Sequence, residues 1–197
     1  MELVLVDKTN YLKAIEIQRD IFPNENGTLN ILASLGRDMF MNLTGLSYVD
    51  DHVRYYLAKD GNEYIGITGI YHYDDEDAWL AWFGILKNYR RNGYGEELLQ
   101  RTIDIAKSMN FKNMRIYTDF IELHNACLLY EKNGFIGEKY TAEELPYDCS
   151  IYSKSLIGKE VELWNNKNLG LSYQSELEGI SEDRINEILE IYKNILW

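Results

Sequence analysis

Residues 78–95 read A-W-L-A-W-F-G-I-L-K-N-Y-R-R-N-G-Y-G. An apolar, aromatic run suited to a buried strand passes into a basic turn carrying Gly93 and Gly95, and then directly into an amphipathic helix. Such a turn is suited to hold a phosphate. Glycine has no Cβ to keep an anion off the backbone, and the first N–H groups of a helix have no intrahelical acceptor. Those donors and the helix dipole both attract negative charge. Arg90 and Arg91 add two permanent cations in a chain whose formal net charge is −12, so the loop reverses the local charge.

Two familiar strand, glycine-loop and helix patterns do not fit. A dinucleotide site needs a third glycine in G-x-G-x-x-G, and here Gly93 and Gly95 are followed by Glu96, Glu97 and Leu98. A P-loop ends in Lys followed by Ser or Thr, which this turn lacks. The pattern that does fit, R-x-x-G-x-G from Arg90 to Gly95, resembles the pyrophosphate loop of the GCN5-related N-acetyltransferases, the GNAT superfamily. A second segment, H-N-A-C-L-L-Y-E-K-N-G-F at residues 124–135, is similar to that family's N-x-x-A-x-x-x-Y-x-x-x-G-F signature through Asn125, Tyr130, Gly134 and Phe135. The resemblance spans roughly residues 3–156 and is clearest over residues 79–135.

The resemblance implies an α/β fold of the α+β type. Its sheet is mixed, mostly antiparallel and seven-stranded, with helices on both faces and a V-shaped splay between strands four and five. It also implies acetyl-CoA as co-substrate, with no metal. The backbone at Ile85 and Leu86 would pair with the pantetheine arm. Arg90, Arg91, Asn92, Gly93, Tyr94, Gly95 and Glu96 would surround the pyrophosphate, and Asn125 would touch the cofactor. Tyr130 matches the tyrosine that acts as general acid toward the thioester sulfur. The activity implied is N-acetyltransfer, moving an acetyl group directly to the primary amine of a small molecule. The alternatives are a protein N-acetyltransferase and a non-catalytic acyl-CoA-binding or regulatory module.

That chemistry requires a neutral amine and favours protonation of the departing thiolate. Some relatives carry a glutamate on strand four, but W-L-A-W-F-G-I-L contains no carboxylate. The remaining candidates for the base are water, His72, Asp74 and Asp119, at expected strand ends. Trp82 is the ring expected to line the acceptor pocket. His52, His72 and His124 are too scattered for a metal site, and Cys127 and Cys149 fit no ligand spacing, so free buried thiols are expected.

Hydrophobic periodicity supplies the remaining elements. Residues 2–6 suit a first strand and residues 10–22 a helix closed by Pro23. Residues 29–43 suit a second helix. Residues 53–59, 63–73 and 78–86 suit a meander, turning at Asp60-Gly61-Asn62 and at Asp74 to Asp77. A helix over 93–109 turns Leu98, Leu99, Thr102, Ile103, Ala106 and Met109 to one face. Strand five is expected at 113–118, a helix at 122–133 capped by Gly134, and strands six and seven thereafter, the last at 150–156.

The 197 residues suffice for one α/β domain, residues 1–157, with an extension over residues 158–197. In the extension Ser181 caps a helix whose apolar stripe, Ile185, Ile188, Leu189, Tyr192, Ile195 and Leu196, packs on the core or at a homodimer interface. The acidic balance disfavours nucleic acid as a partner and favours a cationic one. No apolar run is long enough to span a membrane, and M-E-L-V-L-V-D-K carries no basic leader. A cytoplasmic protein is expected.

Overall fold

The computed structural model describes residues 1–46, 53–118, 124–141, 149–167, 169, 177 and 179–196. Seven strands form one sheet: β1 (Glu2–Leu5), β2 (Arg54–Asp60), β3 (Glu63–Tyr71), β4 (Asp77–Ile85), β5 (Asn113–Thr118), β6 (Ile136–Tyr140) and β7 (Cys149–Ser155). Their order is β1-β2-β3-β4-β5-β7-β6, and every neighbouring pair is antiparallel except β4 with β5. The meander turns where its local chemistry demands. Gly61 takes φ +58 between β2 and β3, and Asp74 Oδ1 accepts the N–H groups of Glu76 and Asp77 at 2.8 Å each before β4 begins.

The helices are α1 (Tyr11–Ile21), α2 (Thr28–Ser34), α3 (Arg37–Thr44), α4 (Tyr94–Ser108), α5 (His124–Lys132) and α6 (Glu182–Leu196). Residues 29–43, expected as one helix, form two, because Gly36 at φ +152 takes a conformation that no helical residue adopts and restarts the chain as α3. No helix among the described residues is long and apolar enough to cross a membrane.

Alternation along β3 sorts the helices onto the two faces. Ile67 packs into an apolar cluster with Ala14, Ile31, Phe40 and Ile188, from α1, α2, α3 and α6. Its neighbour Thr68 points the other way, its hydroxyl 2.9 Å from that of Thr102 on α4. Both threonines are fully buried. Since Thr102 donates to Leu98 O at 2.7 Å, the hydrogen between the two hydroxyls comes from Thr68. Leu98, Leu99, Ile103 and Ala106 complete the buried face of α4.

The parallel pair is short. Asp77, Ala78 and Trp79 pair with Asn113, Met114 and Arg115, and no pairing follows from Leu80 onward. On its other edge β5 pairs with β7 along its whole length. A bulge in β4 accompanies the divergence. Ile67 pairs with Gly84 and Gly69 with Ala81, so Thr68 alone faces both Trp82 and Phe83, and Trp82 takes φ +38. Such an insertion bends the strand and sharpens its twist. It also interrupts the alternation: Ala81 and Trp82 both pack toward the α1 side, while Leu80 and Phe83 pack toward α5.

At the closed end of this pair lies a buried charge cluster. Asp77 Oδ1 accepts from Arg115 Nε at 3.2 Å and from Asn113 Nδ2 at 2.9 Å, and Asp77 Oδ2 accepts from Lys167 Nζ. Arg115 Nη1 donates to Ser153 Oγ at 2.7 Å and to the Glu162 carbonyl at 2.5 Å. Trp164 covers the cluster, its ring 4.9 Å edge-on from Trp79 with the Arg115 guanidinium 5.8 Å from its centroid. The chain beyond β7 is thereby fastened to the sheet.

Burial raises the proton affinity of Asp77, but Lys167, Arg115 and Asn113 together outweigh it and hold the carboxyl below the usual carboxylate range. The pair therefore contributes stability that is fully present above about pH 4 and lost as pH falls through the lowered value. Asp77→Asn leaves the buried Arg115 without its counter-charge and Lys167 with only Glu76 at 3.9 Å, and is expected to cost on the order of 3–5 kcal/mol at neutral pH. Urea melts at pH 7 and pH 3 check this, with the gap between wild type and variant narrowing in acid.

Candidate active site

The loop after β4 is shaped for an anion. A 3₁₀ turn at Lys87–Tyr89 leads to Arg91 at φ +64 and Gly93 at φ +83, two left-handed residues that curl the chain into α4. Glu97 N–H makes the bond to Gly93 O at 3.1 Å. The amides of Tyr94, Gly95 and Glu96 precede it and lack intrahelical acceptors. A Cβ at Gly93 would meet nothing within 4 Å, so space lies open at the mouth of the helix.

The residues of the loop divide by what their side chains already hold. Arg90 and Arg91 are both exposed, and Arg90 Nε donates to Ile85 O at 2.7 Å, bracing the end of β4. Tyr94 donates to Asp60, Glu96 pairs with Lys132 at 2.7 Å, and Asn92 Nδ2 reaches the Tyr89 carbonyl at 3.4 Å. Leu86 N–H is engaged by Ile65 O at 2.9 Å, so of the two backbone positions expected to meet a ligand, Leu86 gives its amide to β3 and Ile85 gives its carbonyl to Arg90.

The end of α5 fixes Tyr130. Gly134 at φ +79 ends the helix. Its N–H bonds Glu131 O at 2.9 Å and the N–H of Phe135 bonds Tyr130 O at 3.1 Å, a closing pattern that brings the residue after the glycine back onto the last turn. Phe135 accordingly lies 6.1 Å from Tyr130, ring to ring, with Phe83 and Tyr152 at 6.2 and 5.6 Å. The glycine and phenylalanine that follow Tyr130 in the sequence therefore hold its ring. Burial pushes the Tyr130 phenol well above its ordinary range, so it stays protonated at neutral pH and can donate a proton. Asn125 is exposed on the first turn of α5, one turn before Leu129, whose Cδ2 lies 3.8 Å from where a Cβ of Gly95 would be. That face of α5 adjoins the start of α4.

A cavity of about 590 Å³ occupies the divergence of β4 and β5. Leu80 to Phe83 line it from one strand, Ile116 to Thr118 from the other, and Tyr130 from α5. Its far wall is the connection between α1 and α2, where the buried Gln18 accepts from Gly27 N–H at 3.0 Å and donates to Glu25 O at 3.3 Å. Trp82, turned by the bulge, stands 5.2 Å from Phe22.

The sequence-level candidates for the base fare differently. His72 Nδ1 lies 2.9 Å from Asp74 O and its ring packs 4.8 Å from Phe111. Asp74 caps the β3–β4 turn, and neither residue lines the cavity. Asp119 lies outside the described residues. The carboxylates that do line it, Glu25 and Glu182, were missed in the sequence, since Glu25 sits in an unpatterned polar turn and Glu182 reads as an ordinary first-turn helix residue.

Residues 14–135 match the family model described as Acetyltransferase (GNAT) family. The chain belongs to the GNAT acetyltransferase family. Among solved structures, aminoglycoside 6'-acetyltransferase type Ii is similar with a TM-score of 0.61 at 17% identity, covering 81% of this chain and all of that one (100%). A spermidine N-acetyltransferase chimera from Vibrio cholerae and hSSAT gives 0.61 at 16%, covering 80% and 98%. The ribosomal-protein alanine N-acetyltransferase of Escherichia coli gives 0.56 at 15%, covering 86% and 99%. At these identities the likeness concerns the GNAT fold alone. No curated protein matches the chain significantly.

Gly27 packs closely behind Trp82 of the cavity wall, since a Cβ there would come within 2.8 Å of both the Trp82 ring and Gln18. Gly27→Ala is expected to cost about 1–3 kcal/mol by overpacking, although its φ of −83 is open to alanine. A thermal melt of the variant checks this; an unchanged midpoint would show that the wall yields freely.

Proposed function

We propose that this GNAT acetyltransferase moves an acetyl group from acetyl-CoA directly to the primary amine of a small molecule. One observation carries the reading: the gap between β4 and β5 has an amide-rich loop at the end of β4 and a largely aromatic cavity holding Tyr130 along its flank.

The residues present suit acetyl-CoA. Three helix-start amides, open space at Gly93 and the exposed Arg91 would take the pyrophosphate. Tyr94 and Glu96 contribute through backbone, their side chains being held by Asp60 and Lys132. Arg90 keeps the strand end in place. The edge of β4 over residues 83–85, without a β5 partner, would accept an extended arm as an added strand. Asn125 would meet the cofactor from α5. Acetyl-CoA, when bound, supplies an activated acetyl thioester.

The chain's own chemical contribution centres on Tyr130. Its hydroxyl hydrogen would pass to the sulfur as the carbon–sulfur bond breaks, so the leaving group departs as a thiol rather than a thiolate. Its raised proton affinity keeps the phenol protonated at neutral pH, which opposes a role as base. The aromatic lining keeps bulk water from the thioester and receives the acceptor.

Tyr130→Phe keeps the ring and removes the proton. It is expected to lower kcat about 10²-fold or more while acetyl-CoA affinity changes little, measured as CoA release over a panel of amines and as ligand binding. Because burial raises the phenol, wild-type activity is expected to show no loss from its ionisation up to about pH 10. An unchanged kcat in the variant would remove Tyr130 from the mechanism.

A further inference from the structure

The cavity wall continues into residues beyond the segment that matches the family. Leu177, Gly179, Ile180, Glu182 and Ile185 line it, although the match ends at residue 135 and the last strand ends at Ser155. This wall is fastened at three separate places. Trp164 and Lys167 seat its beginning on the Asp77 and Arg115 cluster. Ile185, Ile188, Leu189 and Tyr192 of α6 are buried in the cluster shared with α1, α2 and α3. Between them, Asn26 Nδ2 donates to Glu182 Oε1 at 2.8 Å and Arg184 Nη2 to Thr44 O at 3.3 Å. The wall is thus tied directly to the α1–α2 connection across the cavity mouth.

The chemistry of the lining is one-sided. Among the described residues that line the cavity, the charged ones are Glu25 and Glu182, with no lysine or arginine, and Tyr55, Tyr71, Tyr73, Tyr117 and Trp82 share the lining. Carboxylates beside aromatic faces attract cations. The amine that reacts must lose its charge, so it gains little from a carboxylate held at a distance. A second ammonium on the same acceptor keeps its charge and gains fully.

We propose that the C-terminal segment is the specificity wall of the acceptor site, and that Glu182 holds the second, non-reacting ammonium of a diamine or polyamine acceptor. The inference rests on the N-acetyltransferase reading above. Leu177, Gly179, Ile180, Glu182 and Ile185 are then part of the active site. Glu182 is a specificity residue: it selects which amine is bound and takes no part in bond making.

The test compares kcat/KM for 1,4-diaminobutane and for n-butylamine in wild type, Glu182→Gln and Glu182→Asp, with thermal melts to show that each variant is folded. Wild type is expected to prefer the diamine about tenfold or more, the scale of one charge-assisted hydrogen bond. Glu182→Gln is expected to remove most of that preference through KM, and Glu182→Asp to retain most of it. Equal use of the two amines by wild type, or a preference untouched in Glu182→Gln, would overturn the inference and leave the transferase reading standing. Release of CoA with neither amine nor any other would overturn the transferase reading, and this inference with it.

Discussion

The site depends on a parallel strand pair that is allowed to form for three residues and no further. Asp77, Ala78 and Trp79 are held against Asn113, Met114 and Arg115, and beyond them the backbone edges of β4 and β5 face a cavity instead of each other. Backbone donors and acceptors at such an edge must be met by something. The strands can remain apart because each is committed elsewhere: β5 pairs fully with β7, and β4 is bent away by the bulge opposite Thr68. The closed end is fixed by the ion cluster of Asp77, Arg115 and Lys167. Its desolvation cost makes it a poor source of net stability, but once formed it resists the loss of any one member. It also joins residues 162–167, beyond the last strand, to the sheet at the closed end of the gap.

Around that gap, short-range features each do a separate task. Arg90 returns to Ile85 O and ends the strand where the loop must begin. Left-handed residues at 91 and 93 aim the first amides of α4 outward. The glycine after α5 folds Phe135 onto Tyr130, and the packed rings of Phe83, Phe135 and Tyr152 leave the phenol buried and protonated.

The fold was largely legible in the sequence because its signals were local. The apolar run into Arg90-Arg91-Asn92-Gly93-Tyr94-Gly95, the stripe on α4 and the turn chemistry at Gly61 and Asp74 are all contained within a few residues. Other features were not legible, because backbone conformation or tertiary contact decides them. The helical period of residues 29–43 runs on through Gly36, and only the backbone angle of that glycine shows where α2 ends and α3 begins. W-L-A-W-F is apolar on both faces, so nothing in it marks the bulge at Trp82. Arg90 and Arg91 look alike in sequence, but one is taken by a strand carbonyl and the other is left-handed. The carboxylates of the cavity belong to the same class, since residues 25 and 182 meet only through the docking of α6.

In the proposed function, the loop at the start of α4 and the open edge of β4 together hold acetyl-CoA. The most direct measurement is a thermal melt of the intact chain with acetyl-CoA, and with ATP and NADH as controls. At a ligand concentration a hundredfold above Kd, binding adds about 2.7 kcal/mol, which for a chain of this size raises the midpoint by roughly 5–10 °C. That rise is expected with acetyl-CoA alone. An unchanged midpoint with acetyl-CoA and every other CoA species would contradict the proposed function.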